Sequence, residues 1–206
     1  MTMNVNSQKE IYMEAAHMNK THQGFISRLG KKKQGGFGLP ELAITLMITG
    51  LIAAAAMIVV PRILASVRAD KIIDEFNTAI PAIQTAYQNQ TTFSSLTTAQ
   101  VAQNGWVGSS FIEYSAGVPT GKLLTQWGTM AFAPIASGAR AQTTLDNIPS
   151  RECVKIGNSF TNDLYLTATI NGTTVKTNIN TVDLTAVGTQ CSSTTTNTIV
   201  FTFGRS

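Results

Sequence analysis

The chain has 206 residues, of which 13% are charged, and a formal net charge of +4, a length that provides for one ordinary domain and additional segments. Residues 1–36 carry six basic and two acidic side chains, so the rest of the chain is neutral, which argues against a general nucleic-acid-binding surface. Both histidines, His17 and His22, also lie before residue 37. The remaining chain therefore lacks the side chain that serves most often as a metal ligand or general base.

The first predicted element is an apolar helix. Residues 42–60 contain no charge, and at about 1.5 Å per residue such a helix spans roughly the hydrocarbon core of a bilayer. Three lysines at positions 31–33 precede it, which predicts a cytoplasmic N-terminus and an exported C-terminal part. An ordinary single-pass anchor has the same pattern. A secretory signal peptide fits less well, because Pro61 and Arg62 follow where a small-residue cleavage site is expected.

Glu41 stands at the start of this apolar segment. A carboxylate at the edge of a membrane span costs free energy unless it has a partner, which makes it a functional candidate. If the chain is cut between Gly36 and Phe37, a new α-ammonium lies four residues before Glu41. Pairing that ammonium with Glu41 of another chain removes the desolvation penalty that each charge carries alone. Glu41 would then fix the register of assembly and take no part in catalysis.

The basic run, the paired glycines, Phe37, Glu41 and the apolar helix together resemble the class III signal of type IV prepilins. The resemblance implies that a prepilin peptidase removes the leader, residues 1–36, and methylates Phe37. It also implies that residues 37–60 serve first as a membrane span and then as the core of a filament. The long leader is typical of type IVb prepilins, although Phe37 is typical of type IVa. Pro40 departs from the pattern, but proline is tolerated in a first helical turn.

The helix is predicted to continue through residues 61–90. Its apolar stripe, suited to packing on a sheet, consists of Ile72, Phe76, Ile80, Ile83 and Tyr87. Pro61 and Pro81 each remove a helical hydrogen bond and are expected to kink the helix. We predict that the segment between Gly50 and Pro61 unwinds most easily and is extended in a filament.

Residues 91–206 are predicted to form a globular region. Residues 91–125 have the composition of a long connecting loop, with a short helix near residues 96–104. Strands are predicted at residues 129–133, 164–170, 174–178 and 198–203. Asn171-Gly172 indicates a hairpin, and a short helix is predicted to start at Pro149 or Ser150.

The two cysteines, Cys153 and Cys191, lack the CxxC spacing of a zinc or redox motif. In an exported protein two distant cysteines most simply form one disulfide, which in the chain-entropy model stabilises by very roughly 3–4 kcal/mol for a loop of about 38 residues. Two free thiols are the alternative.

The second half of the chain resembles type IVb pilins of the thin-pilus, conjugation-associated kind, through "TQWGTMAF" at residues 125–132 and "IPSRECVK" at residues 148–155. With the N-terminal motif, the resemblance covers nearly all of residues 31–206. It implies the α+β fold of a type IV pilin, in which a long N-terminal helix packs as a spine on an antiparallel sheet and a disulfide bounds a C-terminal region.

The resemblance implies a structural subunit of a type IVb pilus that serves adhesion or conjugative mating, without a cofactor or metal. The implied partners are other copies of the chain, the prepilin peptidase, the assembly platform with its ATPase, an outer-membrane secretin, and a host or recipient cell surface. The precursor would lie in the inner membrane, and the filament would be extracellular on a Gram-negative bacterium.

Three other functions are possible alternatives to this interpretation. A minor pilin or a type II secretion pseudopilin shares the processing chemistry, but major pseudopilins resembling this class are usually smaller and lack the cysteine pair. A DNA-uptake pilin requires an exposed basic patch, for which the candidates are Arg140, Arg151, Lys155, Lys176 and Arg205. A membrane-anchored enzyme is not indicated, because the sequence has no nucleophile elbow, phosphate loop or metal-ligand cluster.

Overall fold

The computed structural model describes residues 38–178 and 181–204. The leader, Phe37 and Arg205 lie outside these residues. The chain divides into two compact units, Met1–Ile52 and Ala53–Ser206, and α1 (Leu39–Ala86) begins in the first and ends in the second.

α1 is a continuous helix of 48 residues that includes both Pro61 and Pro81. By length and composition it is able to cross a membrane. Its apolar side chains are exposed in the N-terminal half, whereas the predicted stripe of Ile72, Phe76, Ile80 and Ile83 is buried. The stripe is therefore confirmed, and it marks the part of α1 that packs on the sheet.

The second unit contains an antiparallel sheet with the strand order β1-β2-β3-β4-β8-β5-β6-β7. Every recorded pairing between neighbouring strands is antiparallel. The strands are β1 (Ile112–Ser115), β2 (Val118–Leu124), β3 (Thr129–Ile135), β4 (Arg140–Pro149), β5 (Thr167–Ile170), β6 (Thr173–Asn178), β7 (Thr181–Val182) and β8 (Thr196–Gly204).

Three short helices accompany the sheet: α2 (Thr98–Gln103), α3 (Ser150–Ser159) and α4 (Leu184–Ser193). Thr97 caps α2 by accepting the Gln100 N–H at 3.2 Å. Asp183 caps α4 in the same manner, through two main-chain N–H groups. The first two helices confirm the predicted ones, and α4 was not predicted.

The core lies between the stripe of α1 and one face of the sheet. Alternate residues of β8 point into it, including Phe201 and Phe203, which are fully buried. Phe76 of α1 contacts Phe201 edge-on, with ring centroids 4.8 Å apart, and Tyr165 contacts the same ring at 5.1 Å. These contacts fix the C-terminal half of α1 on the middle of the sheet.

The predicted strands at residues 129–133, 174–178 and 198–203 are confirmed by β3, β6 and β8, and β5 begins three residues later than predicted. The predicted hairpin is confirmed too. Asn171 and Gly172 both have positive φ, 51° and 81°, as a two-residue type I′ turn requires.

The prediction of a long loop over residues 91–125 is wrong for the second half of this range, where β1 and β2 form a hairpin. Its turn places Ala116 and Gly117 at positive φ, 51° and 81°. Alanine is uncommon in that conformation, so the turn lacks the Asn-Gly signal that revealed the other hairpin. The strand β4 was also missed, although it lies at the centre of the sheet.

Candidate assembly segment and disulfide region

The carboxylate of Glu41 caps the helix to which it belongs. The Gly38 N–H donates to Glu41 Oε2 at 3.1 Å, and the Gly38 carbonyl accepts from the Glu41 N–H at 3.0 Å. This reciprocal arrangement resembles a capping box, and it holds the negative charge at the positive end of the helix dipole. The predicted pairing partner, the amine of Phe37, lies outside the described residues, so that ion pair remains a prediction.

Two threonines follow Glu41 at successive helical turns. The Thr45 hydroxyl donates to the Glu41 carbonyl at 2.7 Å, and the Thr49 hydroxyl donates to the Thr45 carbonyl at 2.9 Å. Each hydroxyl is thus satisfied within its own helix, which lowers the cost of placing it in an apolar environment. These bonds were not predicted, although the four-residue spacing of Glu41, Thr45 and Thr49 is visible in the sequence.

The apolar part of α1 offers a long exposed surface without side-chain cover in the described structure. At Gly50 an added Cβ atom would meet nothing within 4 Å. The helix is continuous between Gly50 and Pro61. Unwinding of this segment is predicted for the filament, and it stays a prediction.

Further along α1, charged side chains fasten the helix to the rest of the second unit. Lys155 of α3 donates to the Ser66 hydroxyl at 2.6 Å and forms an ion pair with Asp70 at 2.6 Å. Glu75 accepts the Gly108 N–H from the loop that follows α2, and the Lys71 ammonium lies 5.2 Å from the centre of the Phe111 ring.

Cys153 and Cys191 form the predicted disulfide, with their Cα atoms 5.6 Å apart. It joins α3 to α4, and both residues are fully buried. Gly157 permits the close approach of the two helices, because a Cβ atom at this position would lie 2.7 Å from Val187 Cγ1. The disulfide region is therefore a packed helix pair, of which only α3 was predicted.

A network of amides ties the disulfide region to the sheet. The Asn171 amide donates to Asn197 Oδ1 at 2.7 Å and to the Gln190 carbonyl at 3.1 Å, and Asn171 Oδ1 accepts the Thr198 N–H at 3.0 Å. The buried Asn197 amide in turn donates to the carbonyls of Ile148 and Cys191. One turn of the β5–β6 hairpin thereby holds the end of α4 against β4.

The basic residues proposed for DNA binding do not form a patch in the described part of the chain. Lys176 is buried and donates to the carbonyls of Phe160 and Asn162. Burial lowers the pKa of the Lys176 ammonium, and the charge of Asp163 opposes this shift. The Lys155 ammonium forms an ion pair with the Asp70 carboxylate.

Of the three remaining candidates, Arg205 lies outside the described residues, and Arg140 and Arg151 are far apart. Arg140 begins β4 and Arg151 follows its end, roughly 30 Å away along a strand of that length. Among residues 38–178 and 181–204 there is also no group of three or more His, Cys, Asp or Glu side chains able to hold a metal ion.

Comparison with known protein families gives two matches. The family model described as "PilS N terminal" matches residues 66–204, which is most of the chain. The chain belongs to the PilS family. A second model, described as "Prokaryotic N-terminal methylation motif", matches residues 31–57 of this PilS-family chain. These matches confirm the predictions of a type IV pilin and of a structural protein that is not an enzyme.

The solved structures similar to the PilS-family chain include two pilins. One is a type IVb pilin from Salmonella typhi, with 18% sequence identity and a TM-score of 0.49; the match covers 65% of this chain and 97% of that one. The other is TcpA, a type IV pilin from the El Tor biotype of Vibrio cholerae, with 17% identity and a TM-score of 0.43, covering 66% and 98%. A comparison with curated proteins found no match to the chain.

Proposed function

We propose that this chain is the structural subunit of a type IVb pilus. It is cleaved after Gly36, methylated on Phe37, and polymerised through the N-terminal half of α1 for adhesion or for mating contacts. The observation that carries this proposal is the overlap of the methylation motif, residues 31–57, with a helix whose apolar side chains are exposed.

The proposed organisation follows the sequence boundaries: leader 1–36, apolar helix 37–60, helix continuation 61–90 and globular domain 91–206. The apolar helix lies in the inner membrane until a peptidase, an assembly platform with its ATPase and a secretin convert the precursor into an extracellular filament on a Gram-negative cell. A filament core excludes water as the bilayer does, so the exposed apolar surface of this helix stays out of water when the subunit leaves the membrane.

Glu41 selects the register in this proposal. In the filament core its carboxylate pairs with the α-ammonium of Phe37 in a neighbouring subunit, because neither charge is tolerated there alone. The bond from Gly38 to Glu41 supports this role, since it holds the carboxylate beside the start of the helix.

The deciding experiment is the intact mass and N-terminal sequence of the protein in a sheared cell-surface fraction. We expect an abundant chain that starts at methylated Phe37 and is two hydrogens lighter because of the disulfide. A chain that retains residues 1–36 and occurs only in membranes would contradict the proposal and identify an ordinary anchored protein. A processed chain of very low abundance in the filament would favour a minor pilin or a pseudopilin.

Two variants separate processing from assembly. Gly36→Val should leave a precursor in the membrane, because the cleavage site needs a residue without a side chain, whereas the matched control Gly35→Ala should be processed. Glu41→Val should be cleaved but fail to assemble, while Glu41→Asp keeps the charge and should retain part of the assembly. Normal piliation of Glu41→Val would remove Glu41 from the mechanism.

A further inference from the structure

The C-terminal half of α1 carries an arginine and an aspartate that have no ion-pair partner among the residues that the structure describes. Arg68 and Asp74 are both exposed, and within residues 38–178 and 181–204 neither side chain forms a salt bridge. The residues three and four positions from Arg68 on either side are Leu64, Ala65, Lys71 and Ile72, which offer no carboxylate. Arg68 has therefore no acidic neighbour on its own helix.

The other charged side chains on the helix face that carries Asp74 already have partners. A depression of about 530 Å³ on this face is lined by Val67, Asp70, Lys71, Asp74, Glu75 and Thr78. Asp70 binds Lys155, Glu75 binds the Gly108 N–H, and Lys71 lies over a phenylalanine ring. Asp74 is thus the carboxylate in the depression that has no charged or N–H partner among the described residues.

We propose that Arg68 of one subunit enters the depression of the adjacent subunit and pairs with its Asp74. This inference rests on the proposed function, since it places the two copies side by side with parallel helices. Arg68 and Asp74 are six residues apart, so they point about 120° apart around the helix and their levels differ by about 9 Å along it. The contact is heterologous and does not close on itself, as an open filament requires.

The stagger of this contact agrees with that of the proposed core contact. Pairing Phe37 of one copy with Glu41 of the next shifts the copies by four residues in the same direction, which is about 6 Å when the helix extends back to Phe37 in the filament. The two values differ by about 3 Å, which the long side chain of arginine spans. Local unwinding between Gly50 and Pro61 does not alter this agreement, because it would occur identically in every copy.

The other exposed arginine of α1 does not satisfy this condition. Arg62 lies twelve residues before Asp74, which would require a shift of about 18 Å. That shift is about three times the shift of about 6 Å that the core contact between Phe37 and Glu41 requires. The assignment is therefore to Arg68.

Cross-linking in assembled filaments tests the proposal. The two native cysteines of the chain are bonded to each other, so Arg68→Cys with Asp74→Cys introduces the free thiols. Treatment of sheared filaments with a short bis-maleimide should give a ladder of covalent multimers. The control pair Arg62→Cys with Asp74→Cys should give monomers. Recovered filaments of the test pair that yield monomers, or dimers without higher multimers, would overturn the proposal.

A charge exchange decides the question if the cysteine variant does not assemble. Arg68→Asp and Asp74→Arg should each lower the recovered filament about tenfold, which corresponds to about 1.4 kcal/mol, and the double exchange should restore it to within about threefold. A double variant that assembles no better than the single variants would overturn the pairing. Failure of the wild-type chain to be cleaved or to assemble would instead overturn the proposed function.

Discussion

Removal of the disulfide is expected to destabilise the fold by about 4 kcal/mol. The bond between Cys153 and Cys191 closes a sequence separation of 38 residues, for which the chain-entropy relation gives about 4 kcal/mol at 25 °C. The variant Cys153→Ala/Cys191→Ala is preferred to a serine variant, because both positions are 0% exposed and a hydroxyl there would be buried without a partner.

The assay is urea and thermal unfolding of the purified chain in mild detergent. With a urea dependence of about 2 kcal/mol per molar, the midpoint should fall by about 2 M. The Tm should fall by about 8–16 °C, because each kcal/mol shifts a domain of this size by about 2–4 °C. Wild-type protein treated with a reductant is the matched control, and it should lose stability by a similar amount.

Two results would refute this reasoning in different ways. A double variant within about 1 kcal/mol of the wild type would show that the link removes little freedom from the unfolded chain. A destabilised double variant combined with an unaffected reduced wild type would assign the loss to packing around the sulfur atoms, because the reduced protein retains those atoms without the link.

Three further predictions concern the second unit. Lys176→Met should cost about 1–3 kcal/mol, because two main-chain carbonyls lose their donor. Burial lowers the pKa of Lys176 in the folded state below 10.5, so between the folded and unfolded pKa values the unfolded chain binds more protons. The stability of the wild type should therefore rise with pH towards 10.5. An equal rise in the Lys176→Met variant, measured by urea unfolding, would exclude Lys176 as the cause. Gly157→Ala should lower the free energy of unfolding by about 1–3 kcal/mol, measured by thermal unfolding, because the added methyl group clashes with Val187. The control Gly188→Ala, in open space on the neighbouring helix, should raise it by up to about 1 kcal/mol. Equal effects of the two substitutions would contradict the geometry. Asn171→Ala should cost about 2–3 kcal/mol and accelerate amide exchange at the end of α4, and unchanged exchange there would mean that the network does not hold the helix.

The long helix could be predicted because its pattern is periodic and its sequence is locally helical. The apolar stripe repeats every three or four residues, and each member from Ile72 to Ile83 is buried as expected. The Asn171-Gly172 turn was predictable for a similar reason, since few other dipeptides adopt two successive positive φ angles.

The strand β4 was missed because its buried and exposed residues differ little in polarity. Its inward residues include Ala141, Thr143 and Leu145, all fully buried, but threonine reads as polar in the sequence. A register shift between Leu145 and Ile148 then interrupts the period of two. Helix α4 was missed because its Thr, Gly and Ser content is unfavourable for a helix, although Asp183 gave a capping signal.

The role of Glu41 was predicted from the cost of a charge beside an apolar span, which is a local argument, and it stays a prediction. The burial of Lys176 was not predictable, because its acceptors are main-chain carbonyls brought close by the tertiary fold. Arg68 and Asp74, which have no ion-pair partner in the described part of the chain, likewise became informative only when the structure showed which neighbouring charges have partners.

The position of β8 determines when the sheet can be completed. This strand comes last among the described elements, yet it lies between β4 and β5 and alone connects the two parts of the sheet. A chain delivered from its amino end, by a ribosome or through a translocation channel, exposes the unpaired edge of β4 until β8 emerges. Cys153 is also a free thiol until Cys191, which precedes β8 by a few residues, has emerged, so a mispaired or aggregated subunit is most readily formed before α4 and β8 are delivered.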